Sequence, residues 1–289
     1  MLPSLRCSIS LLMLSSFLLS GIGCEPEMDS TSSQPQYLSG KLVVTGSSTV
    51  APLLSEMARR FELENPQVRI DIQTGGSGKG INDVIQGTAD IGMASRQLLP
   101  EEEAEGLVSN QIAADGVGIV LEEANPVTGL TRQQVIDIYQ DRINNWKDVG
   151  GADQEIVVVH KSEGRATLEV FLEYMGIENP TIKPDTIVGE NEQAIRIVTN
   201  TRGAIGYVSI GSVESVIHAG NPIKLIALDG VEASSTTVGD GTYKVMRPLI
   251  LVTPESPNDL AEAFVQYCRS SKVSDLIRRQ NFVRPVLVF

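Results

Sequence analysis

The chain of 289 residues is poor in the side chains on which most hydrolytic and metal chemistry depends, with two histidines and three cysteines. A Ser-His-Asp triad or a histidine-based metal centre therefore has only His160 and His218 to draw on, and His218, in a helix-like setting, reads as a surface or packing residue. Cysteine is equally uninformative about redox chemistry: Cys7 and Cys24 lie in the N-terminal segment, and Cys268 has no partner for a disulfide framework. The expected state of Cys268 is a buried thiol. Basic residues are outnumbered by acidic ones, 23 to 36, and the net charge of −13 repels a polyanion such as nucleic acid. The apolar run from Ile9 to Leu19 is too short to cross a bilayer comfortably.

With Arg6 ahead of it, that run has the form of a secretory signal. It ends in Leu19-Ser20-Gly21-Ile22-Gly23-Cys24, which resembles a bacterial lipobox, with Gly21 where leucine is usual. Residues 1–23 are thus expected to be removed and Cys24 to be lipidated, giving an exported chain held to the membrane by its lipid alone. Residues 24–39, rich in Pro, Ser and Gln, cannot bury enough apolar surface to fold and read as a tether.

From Lys41 onward the pattern is strand, polar or glycine-rich loop, helix. Lys41–Thr45 is an apolar strand, and Pro52 sits in the first turn of a helix whose Leu53, Leu54, Met57 and Phe61 recur at helical spacing. Val68, Ile70 and Ile72 alternate with Arg69 and Asp71 as in a half-buried strand. A short helix carrying Ile81, Val84 and Ile85 stops at Gly87, and Ala89–Ala94 is the next strand. Val117–Leu121 is a strand, Glu122–Pro126 reads as the exit from a first lobe, and Thr131 to Gln134 has the spacing of a capping box. Glu155–Val159 then leads through the loop 160–167 to a helix with Val170, Phe171 and Met175. A helix over Asn191–Asn200, a strand over Ala204–Val208, a long strand over Tyr243–Thr253 interrupted at Pro248, and a final helix from Asn258 complete the reading. This repeated order predicts α/β lobes with ligand loops at the carboxyl ends of strands.

Three loops, Gly46–Thr49, Gly75–Gly80 and Gly164–Thr167, place hydroxyls and small residues just before helices. Free first-turn N–H groups and the helix dipole hold a small anion there without a full countercharge. Taken singly, each is as well explained by an ordinary hydroxyl cap. The loop at Lys79 is not a Walker phosphate loop, because Gln73 stands where its first glycine belongs and Gly80 where its Ser/Thr belongs. It misses the dinucleotide fingerprint at Ile81 and the nucleophile elbow at Lys79. The chain is therefore not expected to be an enzyme, and no cofactor or metal is implied.

The stretches Val44-Thr45-Gly46-Ser47-Ser48-Thr49-Val50-Ala51-Pro52-Leu53, Thr74–Gly80, Gly87–Arg96 and Gly203–Val208 resemble the phosphate-binding proteins of ABC importers, a branch of the type II periplasmic binding proteins. The resemblance covers Lys41 to the C-terminus. It implies an α/β fold of two lobes, each a mixed sheet flanked by helices, joined by a two-strand hinge near Gly116–Leu121 and Tyr243–Leu251. Lobe one would comprise 40–117 plus 246–289, and lobe two 118–245. Inorganic phosphate would lie between Ser48, Thr49, Val50, Ser77, Gly78, Ser95 and Arg96 of lobe one and Lys161, Arg165, Ala166 and Thr167 of lobe two. The partner would be an ABC permease, and the chain a monomer. Two departures bear on the ligand. Ser95-Arg96 replaces an aspartate that accepts the phosphate proton in well-studied members, and the second-lobe Arg-x-x-Gly-Ser-Gly-Thr is here Lys161-Ser162-Glu163-Gly164-Arg165-Ala166-Thr167. Arg165 and Arg96 are candidates to fork onto the anion, and Glu163 to accept its proton. Phosphate, a fully deprotonated oxyanion such as sulfate, and a non-transport sensor or surface role on the same fold remain open.

Overall fold

Alternating burial makes β1 (Gly40–Gly46) a strand with Leu42 and Val44 fully buried, and the computed structural model describes residues 38–284 of the chain around it. The expected signal segment, Cys24 and nearly all of the tether lie outside the described residues. Helix α1 (Ala51–Glu64) buries the predicted Leu53, Leu54, Met57 and Phe61. Strand β2 (Val68–Thr74), helix α2 (Ser77–Ile85), strand β3 (Ile91–Ala94), the single turn α3 (Pro100–Glu103) and the 16-residue strand β4 (Leu107–Glu122) follow.

The second half holds β5 (Gly129–Leu130), α4 (Arg132–Tyr139), β6 (Val157–Lys161), α5 (Ala166–Met175), β7 (Thr186–Val188), α6 (Asn191–Asn200), β8 (Ala204–Ser209), α7 (Ile210–His218), β9 (Ile223–Leu225), β10 (Ala227–Leu228) and α8 (Ser235–Gly239). The chain then returns through β11 (Met246–Pro254) to α9 (Asp259–Arg269) and α10 (Ser274–Arg279). The main sheet runs β2-β1-β3-β11-β4-β8-β6-β7, with β9 also on β4 and β5 paired to β10 apart from it. Strands β1, β2 and β3 are parallel, as are β8, β6 and β7, and antiparallel β11 and β4 lie between the two sets.

Each half has its own core. Leu42, Met57, Phe61, Leu251 and Phe264 pack in one cluster, where α1 and α9 meet through the rings of Phe61, Phe264 and Tyr267. Cys268 is fully buried there, and burial pushes its thiol pKa up. Ile119, Tyr139, Phe171 and Tyr207 pack in another. Phe171 stacks on Tyr207 with ring centroids 3.9 Å apart, which seats α5 on β8.

Strand β4 is the link between the halves. Leu107–Gly116 pairs with β11, and Val117–Leu121 pairs with β8. The crossing therefore falls at Asp115–Val117, and Glu122–Pro126, expected to be the exit from the first lobe, lies wholly in the second half. Pro248 does not interrupt β11. Its β3 partner covers only Ile250–Val252, so at Pro248 that side is an edge, where a residue without an N–H is tolerated. His160 and Lys161 belong to strand β6 and not to the loop before α5. The capping box at α4 forms as expected: Thr131 Oγ1 accepts from Gln134 N at 3.2 Å, and Gln134 Oε1 accepts from Thr131 N at 2.8 Å. Helix α10 was not anticipated.

Candidate anion-binding site

Four helix N-termini reach one small, nearly filled cavity. From the first half it is lined by Ser47, Ser48, Thr49, Gly76, Ser77 and Ser95, and from the second by Arg165, Ala166, Thr167, Gly189 and Asn191. The α1, α2, α5 and α6 N-termini supply all but Ser95, which follows β3, and the α1 and α2 loops depend on glycine. Gly46 has φ +135°, and a Cβ there would lie 2.2 Å from the Met93 carbonyl oxygen; at Gly76, with φ +100°, it would meet the Gly164 carbonyl oxygen at 2.6 Å. Only glycine allows either approach, the first within the first half and the second across the cleft.

The alternative of ordinary hydroxyl caps fails at α2 and α5. No side chain caps either helix, whereas Ser47 Oγ takes the Thr49 N–H at the start of α1, and Thr131, Ser209 and Asn258 cap α4, α7 and α9. Among the described residues no acceptor takes the N–H groups of Ser77, Ala166 and Thr167. These are the amides that helix geometry leaves over at an N-terminus. The serines form a buried network instead. Ser47 donates to Ser95 Oγ at 3.0 Å, the Ser95 N–H donates to Ser77 Oγ at 3.1 Å, and Thr49 N–H donates to Ser47 Oγ at 3.2 Å.

Beneath the cavity lies a buried ion pair that sequence reasoning missed. Arg247 of β11 and Asp115 of β4 are cross-strand neighbours at the crossing, with side chains 0% and 1% exposed and Nη2 2.9 Å from Oδ2. The same guanidinium donates to Thr167 Oγ1 at 2.8 Å and to Thr49 Oγ1 at 3.1 Å, so one residue holds hydroxyls from both halves. Removing one partner of such a pair costs about 3–5 kcal/mol, because the other charge is left buried and unpaired. A signal was present: each is a lone charge in an apolar stretch, Ala113-Ala114-Asp115-Gly116-Val117 and Val245-Met246-Arg247-Pro248-Leu249. Asn191 was also missed; its Nδ2 donates to Thr49 Oγ1 across the cleft at 3.0 Å.

Of the residues singled out from sequence, Ser48, Thr49, Ser77, Ser95, Arg165, Ala166 and Thr167 line the cavity, and four others do not. Val50 is fully buried in the first core. The Gly78 N–H donates to the Gly164 carbonyl oxygen at 3.3 Å, so it bridges the halves instead of facing the cavity. Arg96 forks onto Glu102 at 2.7 and 2.8 Å and also pairs with Glu169 of α5; carboxylates have taken the place expected for the anion. Lys161 Nζ donates to the Glu190 carbonyl oxygen at 2.9 Å and to Asn191 Oδ1 at 3.3 Å, behind the cavity wall. Burial, with Arg247 and Arg165 nearby, pulls its pKa down to about 7 against the pull of Glu190 and Glu192.

Arg165 reaches the cavity already paired, Nη1 to Glu190 Oε1 at 2.7 Å. Glu163 is exposed and accepts from Asn179 Nδ2 at 3.3 Å, away from the cavity it was expected to serve. Asn179 also bonds His160 Nε2 at 2.8 Å, and Tyr207 Oη lies 2.9 Å from His160 Nδ1. The Tyr207 hydroxyl takes the Lys161 N–H at 3.2 Å, so His160 braces β6 and lines no reaction site; burial lowers its pKa. His218 ends α7 exposed. Among the described residues no cluster of His, Cys, Asp or Glu could hold a metal, and no helix is long and apolar enough to cross a membrane. The donor set of hydroxyls, first-turn amides and one guanidinium can bind and orient a small oxyanion.

Two α/β lobes on a two-strand hinge, with helix N-termini meeting in the cleft, define a bilobal binding protein. The chain belongs to the PBP superfamily, whose domain model matches residues 30–272. It is similar to the phosphate-binding protein PstS of Bacillus subtilis, 26% identical over 95% of this chain and 93% of that protein. Among solved structures it resembles a substrate-binding protein with bound phosphate from Clostridium perfringens, assigned to a phosphate ABC transporter, at 32% identity and TM-score 0.80 over 85% of this chain and all of that one. A phosphate transport receptor of the ABC type from Vibrio cholerae matches at 31% identity and TM-score 0.70, over 84% of this chain and all of that one.

Proposed function

We propose that the protein captures inorganic phosphate in the cleft and delivers it to an ABC permease, as an exported, monomeric lipoprotein and not an enzyme. The observation that carries this reading is the convergence of Ser48, Thr49, Ser77 and Ser95 with Arg165, Thr167 and Asn191 on one cavity. The phosphate-binding and phosphate-transport functions of the Bacillus, Clostridium and Vibrio relatives support it. In this reading residues 40–117 plus 246–289 form lobe one and 118–245 lobe two, a division supported by the separate packing of the α1–α9 cluster and the Tyr139–Phe171–Tyr207 cluster. Residues 1–23 are cleaved, Cys24 carries the lipid, and 24–39 tether the lobes to the membrane. No bond is made or broken; the anion docks on one lobe and shifts the open–closed equilibrium by its greater affinity for the closed form.

A second reading, another oxyanion such as sulfate, is favoured by one feature: no carboxylate lines the cavity among the described residues. Calorimetric titration of the processed protein with phosphate, sulfate, arsenate and molybdate separates the two. Micromolar or tighter binding of phosphate in preference to sulfate is expected. Tighter sulfate binding moves the assignment to that anion, and a folded protein that binds none of the four removes the transport reading. Mass spectrometry of the processed N-terminus tests the acylation of Cys24.

A further inference from the structure

Both lone pairs of the Thr49 hydroxyl are spent on the protein. Its Oγ1 accepts from Arg247 Nη2 and from Asn191 Nδ2, at 3.1 and 3.0 Å. A hydroxyl carries two lone pairs and one proton, so this one is left able only to donate. Thr167 Oγ1 accepts from Arg247 Nη1 at 2.8 Å, which turns its proton away from the guanidinium. Both threonines line the cavity and are 2% and 5% exposed.

The polarity of the Arg247 contacts is fixed by a group that cannot reverse it. A guanidinium has five N–H donors, no acceptor, and does not deprotonate in proteins. The Asn191 amide has its orientation set from behind, since its Oδ1 accepts from Lys161 Nζ at 3.3 Å and its Nδ2 is thereby turned to Thr49. Asp115 holds the guanidinium in place through Nε at 3.2 Å and Nη2 at 2.9 Å.

We propose that Arg247 is a specificity-determining positioning residue: from the hinge it sets the Thr49 and Thr167 hydroxyls, one from each lobe, as obligate donors to unprotonated oxygens of a small oxyanion. The proposal rests on the reading of the cavity as an oxyanion site. Two consequences follow from the bonding. An oxygen that carries a proton finds no acceptor on Thr49, so the site discriminates by protonation as well as by charge. And because one guanidinium reaches hydroxyls of both lobes, the two are aligned together only when the cleft is closed.

The test is a double-mutant cycle read by calorimetric titration with inorganic phosphate and with sulfate. Thr49→Val is expected to weaken binding about ten-fold or more, and Thr49→Ser to stay within about three-fold of the parent. Arg247→Met is combined with Asp115→Asn so that no unpaired carboxylate is left buried, and folding is checked by circular dichroism and thermal melting. That pair is expected to lose about ten-fold or more, and adding Thr49→Val to it to cost less than about three-fold further, because a hydroxyl freed from Arg247 no longer has a fixed polarity. If the paired variant does not fold, Arg247→Lys takes its place: a single ammonium cannot fork to both threonines, and the same non-additivity with Thr49→Val is expected. Losses that simply add overturn the role of Arg247. A folded parent protein that binds neither anion overturns the oxyanion site itself.

Discussion

At the scale of single residues, the site is built from charges that are nearly all neutralised before any anion arrives. Arg165 is paired with Glu190, and Arg247 with Asp115, so selectivity rests on donor geometry more than on net charge. Arg165→Ala should therefore do two things: remove the cavity's guanidinium and leave the Glu190 carboxylate uncompensated beside an anion. We expect phosphate affinity to fall by about 1.5–3 kcal/mol, measured calorimetrically, with part of the loss recovered when Glu190→Gln is added. Lys161 gives a pH signature. Its burial favours the neutral amine, with the folded value near 7 and the unfolded value in the ordinary lysine range. Below about 7 the folded protein bears the full cost of a buried ammonium; between the two values the unfolded chain holds a proton that the folded one lacks, so stability rises with pH there, by about 1.4 kcal/mol per unit of displaced titration. The melting temperature of the ligand-free protein should climb from about neutral pH into the alkaline range, and Lys161→Met should flatten the climb. The hydroxyl loops were legible because hydroxyl, glycine and helix start lie within a few residues of one another. Arg247, Asp115 and Asn191 were not, because each acts through a neighbour more than 75 residues away in the chain, as the Arg247–Asp115 separation of 132 shows.

At the scale of elements, helix starts differ in how they use their first amides. Thr131, Ser209 and Asn258 cap α4, α7 and α9 with a side chain, whereas α2 and α5, at the cleft, leave the Ser77, Ala166 and Thr167 amides unspent. Thr131→Ala removes the α4 cap, and we expect a loss of about 1 kcal/mol in denaturant unfolding with phosphate affinity unchanged. A fall in affinity would mean that α4, distant from the cavity, is coupled to it. Local periodicity sufficed for α1, α5, α6 and α9, whose apolar residues recur at helical spacing and pack as their pattern requires. It failed at β4, where Leu107–Gly116 carries Ser109, Asn110 and Gln111 among apolar neighbours and offers no continuous run. That stretch is a strand because β11 pairs with it along its length, a tertiary fact. The same pairing carries Pro248 through a strand in which the sequence alone suggested a break.

At the scale of the whole molecule, the two lobes meet through a few specific links besides the cavity itself. Gly78 N–H reaches the Gly164 carbonyl, and Arg96, already forked onto Glu102 of its own lobe, also pairs with Glu169 of α5. The Glu169 pair can form only when the lobes are together, so it contributes to the closed form and not to the open one. By contrast, Glu102 holds Arg96 in either state. Glu169→Gln should therefore weaken phosphate binding without touching a cavity residue, by shifting the equilibrium toward the open form. Glu169 is more than one-third exposed, at 37%, so solvent screens the pair and the expected loss is at most about five-fold in affinity. It should appear mainly as faster release of phosphate, and small-angle scattering should show the phosphate-free variant more extended than the parent. A loss in affinity with no change in the free protein's dimensions would place Glu169 at the anion, not at the closure.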